Sequence, residues 1–134
     1  MSCEAYSIFL SQAHYPIKGL QQLIKALPLI IKLFPETKVY VAGDRFIDKP
    51  RYKQNGFERY IAKELSEKNL NKYFIFLGKL SEKQMAERYS KSHVFVCPSA
   101  IENSPNSVGE AQLIGTPVVA SYVGGTMDMV EHNY

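Results

Sequence analysis

Five short apolar runs, separated by longer segments with helical periodicity, constrain the fold of this chain more than any other feature. Most of them are rich in Val, Ile, Phe and Tyr with little polar alternation, which is typical of strands covered on both faces. The runs lie at Tyr6–Leu10, Lys38–Ala42, Tyr73–Leu77, His93–Cys97 and Pro117–Ser121. Parallel strands need long crossover connections, and the intervening segments can supply these as helices. We therefore expect an α/β fold with an open parallel sheet of about five or six strands.

Helix signals occupy the segments between the runs. An apolar stripe spans 20–34, and Pro28 should kink this helix because proline cannot donate to the carbonyl four residues back. A second stripe spans 57–65. Two capping boxes, each a serine followed three residues later by glutamine or glutamate, predict helices that begin at Ser81 and near Ser107.

Composition narrows the class of protein. The 134 residues, 46% of them hydrophobic, suffice for one packed domain, and no apolar run is long enough to cross a bilayer. A net charge of +3 is too small to predict nucleic-acid binding. Cys3 and Cys97 lack metal-ligand spacing, Cys97 is expected to be buried, and the N-terminus lacks a secretory signal pattern. The simplest prediction is a reduced, cytoplasmic domain.

Loops at the carboxyl ends of the strands are the candidate ligand sites, because open α/β folds bind ligands there. The loop after the first run ends in Lys18 and Gly19, where a lysine and a helix N-terminus both favour a phosphate. A solvated lysine at a helix entry is the simpler alternative. His14 in the same loop is a weak candidate contact, and the glycine pair at 124–125 is a weak candidate for phosphate approach.

The loop after the fourth run, with the helix that follows it, carries two carboxylates. Glu102 and Glu110 are separated by seven residues, and Asn106 and Ser107 make the helix entrance rich in donors for an oxyanion. A carboxylate beside such a site can accept hydrogen bonds from sugar hydroxyls. Alternatively, Glu110 only caps its helix and Glu102 is a solvated loop residue. Gly115, with a proline two residues later, should end the helix.

Several motifs of other enzyme classes are missing from the sequence. It has no phosphate loop of the Walker type, no Gly-x-Gly-x-x-Gly and no Gly-x-Ser-x-Gly. Asp44, Asp48 and Asp128 form no Asp-x-Asp pair that would hold a divalent metal against a diphosphate. We therefore expect no metal site.

In order and spacing, these features resemble the C-terminal donor-binding domain of family 4 (group 1) retaining glycosyltransferases, which have the GT-B fold. The Glu102 and Glu110 pair followed by Gly-Thr-Pro-Val-Val-Ala-Ser at 115–121 is the specific part. The weaker matches, in the same order, are Lys18-Gly19, Val41-Ala42-Gly43, Phe76-Leu77-Gly78, Pro98-Ser99 and Gly124-Gly125. The resemblance covers nearly the whole chain and implies a Rossmann-like sheet that forms one half of a GT-B fold.

The resemblance also implies roles for the matched residues. Glu102 would face the transferred sugar and Lys18 would contact the donor diphosphate, so these two are the predicted catalytic residues. Glu110 would bind the ribose, and the segment 78–80 would lie against the base. The predicted donor-binding residues are Gly19, Gly78, Lys79, Leu80, Asn106, Ser107, Val108 and Glu110. A nucleotide sugar would be the substrate, without a cofactor.

The chain departs from the family pattern at three places. Ala13 stands where the family usually has an arginine that contacts the diphosphate, which weakens the expected phosphate site. The stretch 103–107 is polar and contains a proline instead of being rich in glycine, and Asp128 replaces a glutamate. We expect 1–134 to be a single domain, truncated at its C-terminal end.

The leading hypothesis is the donor domain of a hexosyltransferase in polysaccharide or glycoconjugate biosynthesis. Its acceptor, a saccharide or a lipid-linked glycan, would bind a second domain, which could also place the full protein peripherally at a membrane. Alone, this chain should bind nucleotide weakly and transfer no sugar.

Three other functions are open. The main alternative is a non-catalytic nucleotide or sugar-phosphate binding module. A flavodoxin-like phosphoacceptor domain would need aspartates clustered at the strand ends. A hydrolase would use Glu102 and Glu110 as acid and base, at a separation that only a structure shows.

Overall fold

The computed structural model describes residues 3–11, 16–98 and 106–120, which form alternating strands and helices. The strands are β1 (Glu4–Ser11), β2 (Lys38–Ala42), β3 (Phe74–Gly78), β4 (Ser92–Cys97) and β5 (Val118–Ala120). The α-helices are α1 (Leu20–Leu33), α2 (Gly56–Glu67), α3 (Glu82–Lys91) and α4 (Asn106–Ile114). Short 3-10 turns lie at Pro16–Lys18, Phe46–Asp48, Arg51–Lys53 and Asn71–Tyr73.

The five strands form one parallel sheet in the order β3-β2-β1-β4-β5. β1 is central: Phe9 is in register with Tyr40 of β2 on one side and with Phe95 of β4 on the other. The expected open parallel α/β sheet is confirmed. Each predicted apolar run coincides with a strand, although Ser121 at the end of the fifth run lies outside the described residues.

Side-chain alternation along the strands divides the core into two layers. The first face of the sheet is covered by α1 and α2, and the second face by α3 and α4. The first-face core includes Ile8, Leu10, Val39, Val41, Leu20, Ile24, Leu27, Ile61 and Leu65. The second-face core comprises Phe9, Ala42, Tyr89, Phe95, Cys97 and Ala111. Cys97 is therefore buried, as expected.

Two expectations about the helices concern Pro28 and Ser81. α1 runs through Pro28 as one helix of 14 residues, so the proline does not end it, and the expected kink stays a prediction. At the start of α3, the Ser81 hydroxyl accepts a hydrogen bond from the Gln84 N–H at 3.2 Å. The Gln84 side chain accepts in turn from the Ser81 N–H at 2.9 Å. The predicted capping box at Ser81 is confirmed.

The fourth helix starts and ends close to its predicted bounds. α4 begins at Asn106, one residue from the predicted start near Ser107. The Ser107 side chain lies outside the described part of the chain, so its cap with Glu110 stays a prediction. The other end is as predicted: Gly115 has a φ of +92° and donates to the Gln112 carbonyl at 3.1 Å.

Candidate functional site

The carboxyl ends of β1 and β4 lie side by side in the middle of the sheet. The strand order reverses between them, because β1 connects through α1 to β2 on one side and β4 connects through α4 to β5 on the other. Such a reversal leaves a crevice outside the carboxyl ends of the strands, where ligands of open α/β sheets bind. Both loops that the sequence singled out begin at this edge.

Gly19 brings the start of α1 against the end of β4. It is buried, its φ is +86°, and it directly precedes the first residue of α1. A Cβ at this position would overlap the carbonyl oxygen of Pro98 and lie 2.6 Å from its carbonyl carbon. Glycine is therefore required for the helix start to approach β4 so closely.

The N-terminus of α1 has the properties of an anion site. Its cap, Gly19, has no side chain to satisfy the first N–H groups, and the first turn contains no acidic residue. The partial positive charge of the helix end is therefore not offset by a carboxylate of its own first turn. Lys18, the last residue of the preceding 3-10 turn, is half-buried beside it. Two of the predicted site residues are thus adjacent at the reversal point.

The end of β3 is joined by a backbone hydrogen bond to the residue that follows β2. Gly78 has a φ of +80°, and its carbonyl accepts a hydrogen bond from the Gly43 N–H at 2.9 Å. Lys79 is exposed, whereas Leu80 is half-buried and packs against the second-face core. Of the three residues predicted to lie against a base, Leu80 is the one whose apolar side chain packs against the core.

A cavity of about 270 Å³ lies between the segment after β3, α3 and α4. Leu80 and Glu110, two predicted donor-binding residues separated by 30 positions in the chain, both line it. The other lining residues are Glu82, Met85, Ala86, Tyr89 and Ile114. Apolar walls with a few polar groups suit a ligand that has a flat ring and hydroxyl groups, such as a nucleoside.

Tyr89 is a site residue that the sequence analysis missed. A signal for it exists, because Glu82, Met85, Ala86 and Tyr89 are spaced as one face of the helix that the capping box at Ser81 begins. Burial raises the pKa of the Tyr89 hydroxyl well above its usual range, and the negative charge of Glu110 raises it further. The hydroxyl is therefore protonated at neutral pH.

The remaining predicted residues fall into two groups. Asn106, Ser107 and Val108 are the first three residues of α4, whose N–H groups have no acceptor within the helix. Glu102 lies outside the described residues, together with Ala13, His14, Asp128 and the glycine pair at 124–125.

A larger cavity, of about 460 Å³, lies on the first face beside α1 and contains none of the predicted site residues. Its walls are mainly apolar side chains of α1, β1 and β4, with Val119 of β5. In the described ranges, no group of three or more His, Cys, Asp or Glu residues is arranged to hold a metal ion. Nor is any helix in that part of the chain long and apolar enough to cross a membrane.

The parallel sheet, its central order reversal and the close contact at that reversal define a Rossmann-like α/β domain. The profile of the family described as Glycosyl transferases group 1 matches residues 4–134, and the chain therefore belongs to this family. The resemblance inferred from the sequence motifs is confirmed.

Individual relatives agree with this assignment. The chain is 28% identical over 129 residues to the uncharacterized glycosyltransferase MJ1607 of Methanocaldococcus jannaschii, covering 96% of this chain and 30% of that protein. Its fold matches Anabaena Alr3699/HepE, solved in complex with UDP-glucose, with a TM-score of 0.79 and 24% identity over 95% of this chain and 32% of that one. It also matches sucrose-phosphate synthase (tll1590) from Thermosynechococcus elongatus, with a TM-score of 0.77 and 28% identity over 94% of this chain and 30% of that one.

The chain thus spans about 30% of the length of the relative MJ1607 and a similar share of the two solved proteins. The expectation of a Rossmann-like sheet that corresponds to one domain of a GT-B glycosyltransferase is confirmed.

Proposed function

We propose that this chain is the donor-substrate domain of a retaining glycosyltransferase that moves a hexose from a nucleoside diphosphate to an acceptor. The observation that carries the proposal is the cavity in which Leu80 and Glu110 meet. The family resemblance implies a base beside Leu80 and a ribose beside Glu110, and one nucleoside needs both residues in one place. The complex of Alr3699/HepE with UDP-glucose supports a nucleotide sugar as the ligand of such a fold.

The donor diphosphate binds at the start of α1 in this proposal. Lys18 provides a positive charge, and the N–H groups of the first helical turn provide donors. When the bond between the sugar and the diphosphate breaks, the diphosphate leaves with the electron pair. Lys18 and the helix end stabilise the negative charge that develops on it, which is the reason we propose a reaction without a metal ion.

In this proposal, the sugar is bound by Glu102 and the start of α4, and the acceptor by a further domain. Glu102 faces the transferred sugar, and the first residues of α4 hold its hydroxyl or phosphate oxygens through backbone N–H groups. The chain aligns with only 30% of MJ1607, so we propose that acceptor binding belongs to a further domain. A saccharide or a lipid-linked glycan would bind there at the cytoplasmic side, and residues 1–134 alone would bind nucleotide without transferring sugar.

The proposal is tested by calorimetric titration of the chain with UDP, GDP, ADP and their glucose or mannose conjugates. We expect saturable binding to one base. Lys18→Ala and Glu110→Ala should each weaken it about tenfold or more, because each removes a hydrogen bond to or from a charged group. Binding of no nucleotide, or binding that ignores both substitutions, would contradict the proposed site.

Two exposed residues supply matched controls for these substitutions. Lys25 lies on the same helix as the proposed phosphate site, and Glu87 lies on α3 outside the cavity. Lys25→Ala and Glu87→Ala change the net charge by the same amounts as the test variants, so they report any general electrostatic effect. Both control variants should keep the nucleotide affinity within about twofold of the wild-type value.

The alternative is a non-catalytic module that binds nucleotide or sugar phosphate, and Ala13 in place of the family's arginine favours it. Glu102→Ala separates the two functions. In a donor domain it weakens binding of the sugar conjugate relative to the plain diphosphate. In a module that does not position a sugar, Glu102→Ala changes the affinity for neither the sugar conjugate nor the plain diphosphate.

A further inference from the structure

The Tyr89 ring is fixed in the core by two aromatic neighbours. Its centroid lies 5.2 Å from that of Phe9 and 5.2 Å from that of Phe95, both in edge-to-face geometry. Only 1% of the residue is exposed, and its backbone carbonyl accepts a hydrogen bond from the Thr116 hydroxyl at 2.6 Å. The ring and backbone are therefore held in place, so the phenol oxygen keeps a constant position while its O–H can still turn toward a partner.

The hydroxyl end of Tyr89 is the unusual part of this arrangement. It is sealed from solvent, and within the described ranges no polar atom meets ordinary hydrogen-bond geometry with it. Buried hydroxyl groups nearly always have a partner, because an unsatisfied one loses its hydrogen bond to water without replacement. A partner for this hydroxyl therefore has to be a polar group that adjoins the ring, and not bulk water.

Glu110 is the group that fits. It lines the same cavity, and its carboxylate is close enough to act on the phenol through its charge and through side-chain hydrogen bonding. The protonated phenol is a donor and the carboxylate is an acceptor, so the pair is chemically matched. Because Tyr89 is buried and the Glu110 side chain is exposed, it is Glu110 that adjusts to shorten the contact.

We propose that Tyr89 is a positioning residue, whose hydroxyl donates to the Glu110 carboxylate and holds it toward the cavity for ribose recognition. One carboxylate oxygen accepts from Tyr89, and the other is presented to the ribose hydroxyls. The hydroxyl is sealed in this structure, so we expect its effect on the ligand to pass through Glu110. The ribose part of this inference rests on the proposed nucleotide-binding function, whereas the contact between the two side chains does not.

The contact is tested without any ligand by NMR of protein labelled at the tyrosine Cζ. The resonance of Tyr89 is assigned by its absence in Tyr89→Phe. We expect it to shift in Glu110→Gln and to stay in place in Glu87→Gln, whose carboxylate lies on α3 outside the cavity. A Tyr89 resonance that is unchanged in Glu110→Gln overturns the proposal, whatever the chain binds.

The positioning role is tested with UDP, GDP and ADP against their 2′-deoxy forms. Tyr89→Phe keeps the ring packing, so the variant should remain cooperatively folded while its ribonucleotide affinity falls about three- to tenfold. The preference for ribose over deoxyribose should shrink by a similar factor, and in a Glu110→Ala background Tyr89→Phe should have no further effect.

The outcomes separate this inference from the proposed function. If the wild-type chain binds none of these nucleotides, the proposed function fails, and the NMR comparison still decides the contact. If the wild type binds but Tyr89→Phe keeps the full ribose preference, the positioning role fails and the nucleotide site stands. An equal loss of ribonucleotide affinity from Tyr89→Phe in the wild-type and Glu110→Ala backgrounds would also refute the positioning role. The effect of Tyr89 would then not pass through the Glu110 carboxylate.

Discussion

Gly19 and Pro98 touch across the point where the strand order reverses: a Cβ on Gly19 would overlap the carbonyl oxygen of Pro98. The contact joins the helix that follows β1 to the end of β4, two segments nearly 80 residues apart in the chain. It places the start of α1, with Lys18, beside the carboxyl end of β4. The geometry of the proposed phosphate site therefore requires a residue without a Cβ at position 19.

Gly19→Ala should lower the free energy of unfolding by about 3 kcal/mol, from the cost of a positive φ plus a forced backbone displacement. Gly115→Ala is the matched control, since Gly115 has a φ of +92° and open space around its Cβ position. That variant should lose only about 1 kcal/mol. Urea unfolding followed by circular dichroism measures both. Equal losses would mean that the contact with Pro98 is not tight.

The capping box of α3 should matter for binding as well as for stability. Ser81→Ala removes the N-cap and should lower the free energy of unfolding by about 1 kcal/mol. It should also weaken nucleotide binding at least about twofold, because Leu80 precedes the loosened turn and Glu82 belongs to it. Asn55→Ala removes the equivalent cap of α2, away from the cavity, and should affect stability alone. A similar loss of affinity in both variants would contradict this assignment.

The ion pair of Lys49 with the buried Glu58 should stabilise the fold. The Lys49 Nζ lies 3.2 Å from a carboxylate oxygen of Glu58, whose side chain is only 5% exposed. Lys49→Met leaves that carboxylate without its counter-charge and should cost about 1–3 kcal/mol of unfolding free energy. Lys63→Met, which breaks an exposed pair at 3.9 Å with Glu67, should cost less than about 0.5 kcal/mol. Comparable urea midpoints for the two variants would show that burial of Glu58 carries no penalty.

Glu4 should contribute pH-dependent stability. A hydrogen bond with Tyr40 lowers the pKa of its carboxyl, and the Arg88 guanidinium, 3.2 Å away, lowers it further. A lowered folded-state pKa means that the stabilisation is present above the unfolded-state pKa and is lost as the pH falls through the folded-state value.

Wild type should therefore exceed Glu4→Gln in unfolding free energy at pH 7 and converge with it in acid. The difference should stay under about 1 kcal/mol, because 44% of the Glu4 side chain is exposed. Urea midpoints between about pH 7 and pH 3 measure the convergence. A constant gap across this range would exclude the carboxylate charge as its cause.

Nucleotide binding should not require a divalent metal. In the proposed site, Lys18 and the start of α1 face the diphosphate, so excess EDTA should leave the affinity within about twofold of its value in magnesium. The matched measurement is the same pair of titrations with Lys18→Ala. If magnesium strengthens wild-type binding about tenfold or more, a metal takes part in holding the diphosphate and the proposed mechanism is wrong.

Local sequence patterns were sufficient to predict the strands, the start of α3 at Ser81 and the end of α4 at Gly115. Apolar runs, capping boxes and a glycine followed by proline act through neighbouring residues, so they can be recognised without knowing the fold. The start of α4 was predicted to within one residue by the same kind of reasoning. A serine three residues before a glutamate indicated a helix beginning near Ser107, and the helix begins at Asn106.

The sequence by itself determined the fold class and the family, because periodicity, spacing and motif order are properties of the chain alone. The tertiary structure decided which segments meet. Strand order depends on long-range packing and crossover direction, and it is this order that places Gly19 against Pro98. The packing of α3 and α4 on one face of the sheet likewise brings Leu80 and Glu110 into one cavity. It also seals the hydroxyl of Tyr89 beside them, a relationship that no spacing along the chain encodes.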